Sequence, residues 1–156
     1  SRGLGDVYKR QSFNCYALSP DHEKMNHALE ISGLPMIIGE YHFGTVDRGL
    51  AQSLWQVNSQ KERGDAFRYY TENAFAHRGL IGTGWFRWID QNINGRTDGE
   101  NYNCGFIDVT DRPYPYMVDA AIETAKSLYE IHSGTKTPFH QAPNAVGHSP
   151  IPDLWE

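Results

Sequence analysis

Three apolar segments that alternate with three helix-forming segments constrain the fold of this chain more than any other feature of its sequence. The apolar, strand-like segments are SFNCYAL at 12–18, LPMIIGEYHFG at 34–44 and GLIGTGWFRWIDQ at 79–91. The helix-forming segments follow them at 22–33, 58–77 and 116–134. Because strands that are joined by helical crossovers pair in parallel, this order predicts an α/β fold with a parallel sheet.

Capping and turn residues set the expected helix boundaries. The tripeptide SPD at 19–21 predicts a capping turn before the first helix, and Gly33 predicts the end of that helix. Asn58 is the predicted cap of the second helix, with Glu62 near its first turn. Gly134 predicts the end of the third helix.

Two parallel α/β folds fit this order of segments, a doubly wound sheet and a (β/α)8 barrel. Three βα units are too few for a whole barrel, which needs at least about 200 residues. The barrel interpretation therefore makes 12–134 the last three βα units of a longer barrel. Residues 1–11 are expected to be a non-native or disordered leader, and 135–156 a proline-rich tail that wraps the surface.

Charge and hydropathy argue against several kinds of partner. The formal charge of -5 comes from 14 basic and 19 acidic residues without a basic stripe, so no nucleic-acid partner is expected. No apolar stretch approaches the roughly 20 residues that cross a bilayer, so no membrane partner is expected either. Cys15 and Cys104 are expected to be free thiols, because neither spacing suggests a metal site.

Glu40 is the most informative single residue, because it ends an apolar strand and barrel enzymes place their active sites at the carboxyl ends of parallel strands. Pairing with Arg48 explains its position equally well. On the preceding strand, Asn14 and Tyr16 alternate onto one face and are expected to point toward Glu40. A tyrosine hydroxyl beside a carboxylate can keep it ionised through a hydrogen bond, as a nucleophile requires.

Aromatic residues gather at the end of the third strand, where Trp85, Phe86 and Trp88 precede Asp90. Such rings either fill a core or stack on flat ligands, and core packing is the more common use. Together with polar groups at three successive strand ends, they favour a sugar site, because indole rings stack on the apolar face of a pyranose. The long polar loop 92–115 that follows is of a kind that is usually functional or disordered.

Four segments carry a resemblance to a known group of enzymes. IIGEYHFG, DRGL, NSQKERGDAFRYY and GTGWFRWIDQNINGRTDGENYNCGFIDVTDRPYP resemble the C-terminal three strands of clan A retaining glycoside hydrolases. The likeness is closest to the β-agarases of glycoside hydrolase family 50 and more distant to the family 42 β-galactosidases, and it covers 12–134. It implies the last three βα units of a (β/α)8 barrel. It also implies a secreted or periplasmic enzyme that hydrolyses a β-galactosidic polysaccharide, with agarose as the expected substrate, without a metal or organic cofactor.

The resemblance assigns roles to the site residues. Glu40 matches the nucleophile at the end of strand seven, and Tyr16 matches the tyrosine that orients it. Trp88 matches the tryptophan on which the sugar stacks, with Trp85 as the less favoured choice. The expected further sugar contacts are His42, Asn14, Asp90 and Glu100. For Glu100, bracing of its own loop is the alternative.

The acid/base of the clan is a glutamate that follows an asparagine at the end of strand four, and nothing before Ser12 can supply it. The chain alone is therefore expected to be inactive. Two other functions stay open, a β-galactosidase that acts on small substrates and a non-catalytic carbohydrate-binding protein. A glutamate at position 40 favours an enzyme over a binding protein. The sequence leaves open the oligomeric state and the choice between endo and exo cleavage.

Overall fold

The computed structural model describes residues 10–147, and its helices and strands follow the predicted alternation. Its elements are β1 (Gln11–Asn14), α1 (His22–Ser32), β2 (Met36–Tyr41), β3 (Trp55–Gln56), α2 (Gln60–Phe75), β4 (Leu80–Trp85), α3 (Pro115–His132) and β5 (Val146–Gly147). Strands β1, β2 and β4 form one parallel sheet with β2 in the centre. The predicted α/β fold with a parallel sheet is confirmed.

The carboxyl ends of the three parallel strands meet on one side of the sheet, and we call the residues there the carboxyl edge. Asn14 at the end of β1 is in register with Glu40, and Tyr41 at the end of β2 is in register with Trp85. Because all three strands run the same way, the side chains that follow them are brought to a common site.

All three strands end before the apolar segments that predicted them, β2 by three residues and the other two by more. Strand β1 ends at Asn14, where the register with β2 shifts, and does not extend over the predicted 12–18. Strand β4 ends at Trp85, well before its predicted end. The N–H of Phe86 still donates to the carbonyl of Tyr41 at 2.9 Å. After that the backbone pairs with a later loop, since the N–H of Phe106 donates to the carbonyl of Trp88 at 2.8 Å. Trp88 therefore lies in a loop.

Helix α1 begins and ends at the predicted signals. The carboxylate of Asp21 accepts the backbone N–H of Glu23 at 2.9 Å, which caps the first turn. Gly33 follows the last turn with φ 64°, and its N–H donates to the carbonyl of Leu29. A left-handed residue in this position is typically glycine, so the sequence signal was sufficient.

Helix α2 is capped by Ser59 and not by the predicted Asn58. The Ser59 hydroxyl accepts the N–H of Glu62 at 3.2 Å. The Glu62 carboxylate reaches back and accepts the backbone N–H of Asn58 at 2.9 Å. The pattern Ser-x-x-Glu thus forms a variant of the capping box, in which the glutamate bonds to the residue before the cap.

The core lies between one face of the sheet and helices α1, α2 and α3. Met36, Ile38 and Leu80 of the sheet are fully buried. They belong to one apolar cluster with residues of all three helices, among them Met25, Ala66, Phe67, Tyr70, Ala74, Met117 and Ala120. Helices α2 and α3 approach closely at Gly64, where a Cβ atom would lie 2.5 Å from the carbonyl oxygen of Tyr116. This packing leaves the strand ends free to carry the site.

A second, two-stranded sheet was missed by the sequence analysis. Strands β3 and β5 pair antiparallel, with Trp55 opposite Gly147. Each is two residues long, too short to show the alternation of polar and apolar residues that identifies a strand. This pairing fixes part of the predicted tail to the body of the chain.

Phe139 anchors the tail further. Its backbone N–H donates to Glu72 at 2.8 Å, and its ring lies 4.6 Å from the guanidinium carbon of Arg68. The tail thus runs along α2 over the part that is described.

Cys15 and Cys104 form no disulfide. Between residues 10 and 147, no helix is long and apolar enough to cross a membrane, and no group of side chains has the makings of a metal site. The predicted leader, except for its last two residues, and the end of the predicted tail lie outside the described residues.

Candidate active site

Glu40 occupies the penultimate position of β2, with its side chain half-buried at the carboxyl edge. Its main chain is tied to the neighbouring strand, because the N–H of Cys15 donates to the Glu40 carbonyl at 2.9 Å. Arg48, the alternative partner, lies instead over the ring of Tyr114, 5.6 Å from its centroid. Among the described residues Glu40 forms no ion pair, so its carboxylate is held by a neutral donor.

That donor is Tyr16, whose hydroxyl donates to Oε2 of Glu40 at 2.9 Å. Burial raises the pKa of Tyr16, and the hydrogen bond to Glu40 raises it further, so the phenol stays protonated and remains a donor. The indole N–H of Trp55 donates to the Tyr16 carbonyl at 2.7 Å and fixes its main chain. The structure therefore brings Tyr16 and Glu40 together as the strand pattern predicted, while the chemical roles of both stay predictions.

Asn14 lies beside Glu40 on the exposed rim of β1. Its Oδ1 is close to the backbone of Gly39, where a Cβ atom would be 2.8 Å away. An exposed amide one strand away from a carboxylate can donate to and accept from a hydroxyl group. The geometry is thus compatible with the predicted sugar contact.

His42 lies two residues beyond Glu40, but its side chain is 1% exposed. Its Nε2 accepts the backbone N–H of Leu54 at 3.1 Å, and its ring packs edge-on against Tyr16 with centroids 5.0 Å apart. Burial lowers the pKa of His42 to about 3, so the ring is neutral over the ordinary pH range. A direct sugar contact, as predicted for His42, would require this side chain to leave its buried position.

The two tryptophans of the third predicted strand have different surroundings. Trp85 is half-buried, its indole N–H donates to the carbonyl of Cys104 at 2.7 Å, and its ring packs edge-on against Tyr41. Trp88 is 68% exposed and stacks on Phe106 with centroids 5.8 Å apart. Trp88 therefore presents the ring that a sugar could reach, and Trp85 is part of the core packing.

Asp90 holds the loop after β4 in place. It is 4% exposed, and its two oxygens accept hydrogen bonds from the N–H of Gly105 at 2.7 Å, the amide of Asn103 at 2.8 Å and the hydroxyl of Tyr114 at 2.6 Å. These bonds use the carboxylate within the chain. The predicted sugar contact through Asp90 has no support in this arrangement.

Arg63 was not singled out by the sequence analysis, although it lies fully buried behind the site. Its guanidinium covers the ring of Tyr114 at 4.4 Å, and one amino group donates to the Asn103 carbonyl at 2.9 Å. Burial lowers the pKa of Arg63, and the negative charge of Asp90 partly offsets this shift. The signal was present, since Arg63 precedes Ala66 and Phe67 at helical spacing on the apolar face of α2.

The loop that contains Glu100 bonds mainly to itself. The Arg96 guanidinium pairs with Asp98 at 2.8 Å and with Glu100 at 3.2 Å, and the Gln91 amide donates to Glu100 at 2.7 Å. This is the bracing arrangement that the sequence analysis gave as the alternative for Glu100. A sugar contact through the half-buried carboxylate stays a prediction.

Three known proteins that are similar to this chain are agarases. The chain is 43% identical to "Beta-agarase A" of Vibrio sp. (strain JT0107) over 103 residues, which make up 65% of this chain and 10% of that protein. It is 35% identical to "Beta-agarase B" of the same strain over 136 residues, 83% of this chain and 14% of that protein. The solved structure of an exo-β-agarase matches with a TM-score of 0.76 and 38% sequence identity, and the match covers 82% of this chain and 17% of the agarase chain.

The share of the relatives that is matched is small. The chain spans 10% and 14% of the length of the two curated relatives, and no protein-family model matches it. The likeness therefore concerns the strands and loops described above and leaves most of each relative without a counterpart.

Proposed function

The chain is homologous to the β-agarases of glycoside hydrolase family 50, and we propose that its parent protein is a retaining hydrolase of the β-galactosidic links of agarose. The observation that carries this proposal is the hydrogen bond from Tyr16 to Glu40 at the carboxyl edge. A hydrogen bond to the charged form of a carboxyl group keeps it ionised, and an ionised carboxylate is what nucleophilic attack requires.

In the proposed mechanism Glu40 attacks the anomeric carbon while a second carboxylic acid protonates the departing glycosidic oxygen. The glycosidic bond breaks and a covalent glycosyl-enzyme forms. Water, deprotonated by the same second group, then attacks the anomeric carbon and releases Glu40, so the configuration is retained after two inversions. Tyr16 holds the carboxylate of Glu40 in the orientation for attack.

The second carboxyl group would have to lie about 5 to 5.5 Å from the first. Asp90 and Glu100 are engaged in the internal bonds described above, so neither is a good substitute. We assign the acid/base to a part of the parent protein outside this chain. The three βα units would then be the last three of a (β/α)8 barrel, the fold in which several strand ends jointly supply catalytic groups.

Trp88 supports a sugar substrate, because its ring is exposed and already stacked on Phe106 from one side. Its free face could receive the apolar face of a pyranose, and Asn14 could bind a hydroxyl group of the same ligand. Agarose is proposed as the substrate from the names of the relatives.

The proposal is tested in the full-length parent by Glu40→Ala. Hydrolysis of an agarose oligosaccharide should be abolished, while binding should remain largely intact because stacking on Trp88 does not need the carboxylate. Added azide should restore turnover, because a small anion can occupy the vacated space and attack the anomeric carbon. The product should be a glycosyl azide of inverted configuration, which NMR identifies.

Glu100→Ala serves as the matched control, since it removes a half-buried carboxylate from a neighbouring loop. It should retain hydrolysis, at a higher KM if Glu100 contacts the sugar, and yield no glycosyl azide. Near-normal activity of the Glu40→Ala parent, or an azide product of retained configuration, would exclude Glu40 as the nucleophile. Binding of the sugar by a wild-type parent that never cleaves it would instead favour a carbohydrate-binding protein.

A further inference from the structure

The position of His42 has a use that a sugar contact does not explain. It follows the proposed nucleophile Glu40 by two residues, yet its side chain is buried among the rings of Tyr16, Phe86 and Tyr102, with centroids 5.0, 5.9 and 5.7 Å away. A polar ring is costly to bury unless its hydrogen bonds and contacts compensate. Nδ1 of His42 makes no hydrogen bond to the described residues, so the side chain is held by the bond accepted at Nε2 and by its ring contacts.

One of those contacts fixes the ring. Nε2 accepts the backbone N–H of Leu54 at 3.1 Å, so the lone pair is on Nε2 and the ring proton is on Nδ1. This bond ties the segment after β2 to the segment before β3. Burial, together with the positive charge of Arg63, disfavours the imidazolium, and His42 keeps this neutral tautomer.

A second contact carries the effect to the site. The ring of His42 packs against the ring of Tyr16 with an interplanar angle of 70°. The hydroxyl of this same tyrosine donates to Glu40. Two hydrogen bonds hold the main chain around Tyr16 independently of His42. The indole N–H of Trp55 donates to the Tyr16 carbonyl at 2.7 Å, and the Tyr70 hydroxyl donates to the Cys15 carbonyl at 2.6 Å. With the main chain fixed, the direction of the Tyr16 ring decides whether its hydroxyl reaches Glu40.

We propose that His42 is a positioning residue that holds the Tyr16 ring in the direction that keeps its hydroxyl on Glu40. This inference rests on the proposed role of Glu40 as nucleophile. His42 then touches neither sugar nor reacting atoms, and it acts through the tyrosine.

Two substitutions in the full-length parent separate the functions of the His42 side chain. His42→Phe keeps an aromatic ring against Tyr16 and removes the acceptor for Leu54, whereas His42→Gln keeps an acceptor and removes the ring. His42→Gln should lower kcat on an agarose oligosaccharide by about 10- to 100-fold, the size of effect that a small misplacement produces, with little change in KM. His42→Phe should lower the melting temperature, because Leu54 loses its acceptor, and should lower kcat per folded molecule less than His42→Gln does, because a ring still packs against Tyr16.

A double-mutant cycle with Tyr16→Phe shows whether His42 acts through the tyrosine. In Tyr16→Phe the hydroxyl is absent and its direction no longer matters. Adding His42→Gln to that variant should therefore lower kcat further by less than about twofold. The matched control is His77→Gln. His77 is also a buried histidine that accepts a backbone N–H, from Gly79 at 3.0 Å, but it lies at the opposite end of the sheet. It should lower the melting temperature and leave kcat unchanged in both backgrounds.

Several outcomes would overturn the proposal. A higher KM at unchanged kcat in His42→Gln would make His42 a sugar contact, and effects of His42→Gln and Tyr16→Phe that multiply would mean independent actions. Should His42→Phe fail to fold, the cycle with His42→Gln still decides. Failure of the proposed function is recognised separately, because the parent would then lack hydrolysis or Glu40→Ala would retain it before any change at His42.

Discussion

Two glycines of β4 lie close together but meet different neighbours. A Cβ atom on Gly84 would overlap the carbonyl oxygen of Gly39, which is backbone and cannot rotate away. A Cβ atom on Gly82 would lie 3.5 Å from the side chain of Ile37, an ordinary van der Waals contact. Because Gly39 directly precedes Glu40, a displacement of its backbone would be passed to the proposed nucleophile.

The pair Gly84→Ala and Gly82→Ala tests this argument in the parent protein. Gly84→Ala should destabilise the fold by about 1 to 3 kcal/mol, the usual range for overpacking, and should lower kcat as Glu40 shifts. Gly82→Ala should be neutral or slightly stabilising, because alanine reduces the freedom of the unfolded chain. Thermal melts and steady-state kinetics on both variants check the prediction. Equal effects of the two changes would contradict it.

At the level of whole elements, His77 joins α1, α2 and β4 at the amino end of the sheet. Its Nδ1 accepts the N–H of Gly79 at 3.0 Å, so its proton is on Nε2, which lies 3.1 Å from Oδ1 of Asn26. The bond from Gly79 needs the neutral ring, because a protonated Nδ1 cannot accept, whereas the bond to Asn26 is possible in either state. Burial lowers the pKa of His77, and the neighbouring charges of His22, Arg78 and His132 lower it further.

The sign of the resulting pH dependence follows from the lowered pKa. The unfolded chain takes up the proton near pH 6.5, before the folded chain does, so the contribution of His77 to stability is complete above about that pH. It is lost progressively as the pH falls toward the folded pKa. Between about pH 7.5 and 5 the parent carrying His77→Gln should therefore lose less stability than the wild type, measured as the melting temperature.

His132 provides the control for this experiment. It belongs to the same group of charges but is exposed, with Nδ1 3.0 Å from the carbonyl of Phe75. His132→Gln should keep most of the wild-type pH dependence. If the melting temperature of His77→Gln changed with pH as steeply as that of the wild type, His77 would not be the source of the pH dependence.

The sequence predicted those elements whose local signals agree with their packing. Met36–Tyr41 is an unbroken apolar run, and α2 has both a regular apolar face and a capping box. The end of β4 was not predictable from local signals, because the aromatic run continues to Trp88 while the backbone pairs with a later loop. The β3–β5 pair depends on a contact between distant segments and has no local signal.

The candidate site was predictable to the same extent. The meeting of Tyr16 with Glu40 follows from parallel strands that end at one edge, and the sequence predicted it. The burial of His42 and Asp90 did not follow from the sequence, because it depends on how the loops fold back after the strands. A polar residue near a strand end can therefore be placed at the site from sequence, but its exposure cannot.

For the molecule as a whole, the sheet leaves two kinds of surface unused. Over the described range, β4 pairs with β2 alone and so forms an edge of the sheet. The face opposite the helices carries the exposed Ser12 and Asn14 and the half-buried Ile37, and Ile81 on the edge strand is 53% exposed. Unpaired strand edges beside apolar side chains are sites of association.

We therefore expect the isolated 156-residue chain to be poorly stable. It should aggregate at micromolar concentration or bind a hydrophobic dye, because the edge at β4 and the open face of the sheet can associate with other molecules when neighbouring strands are lacking. The full-length parent is the control, and it should unfold cooperatively and bind little dye. Light scattering, dye fluorescence and thermal unfolding measure the difference. A monomeric isolated chain with one cooperative transition would mean that three βα units suffice as a folding unit, and the assignment of these units to a larger barrel would lose its physical basis.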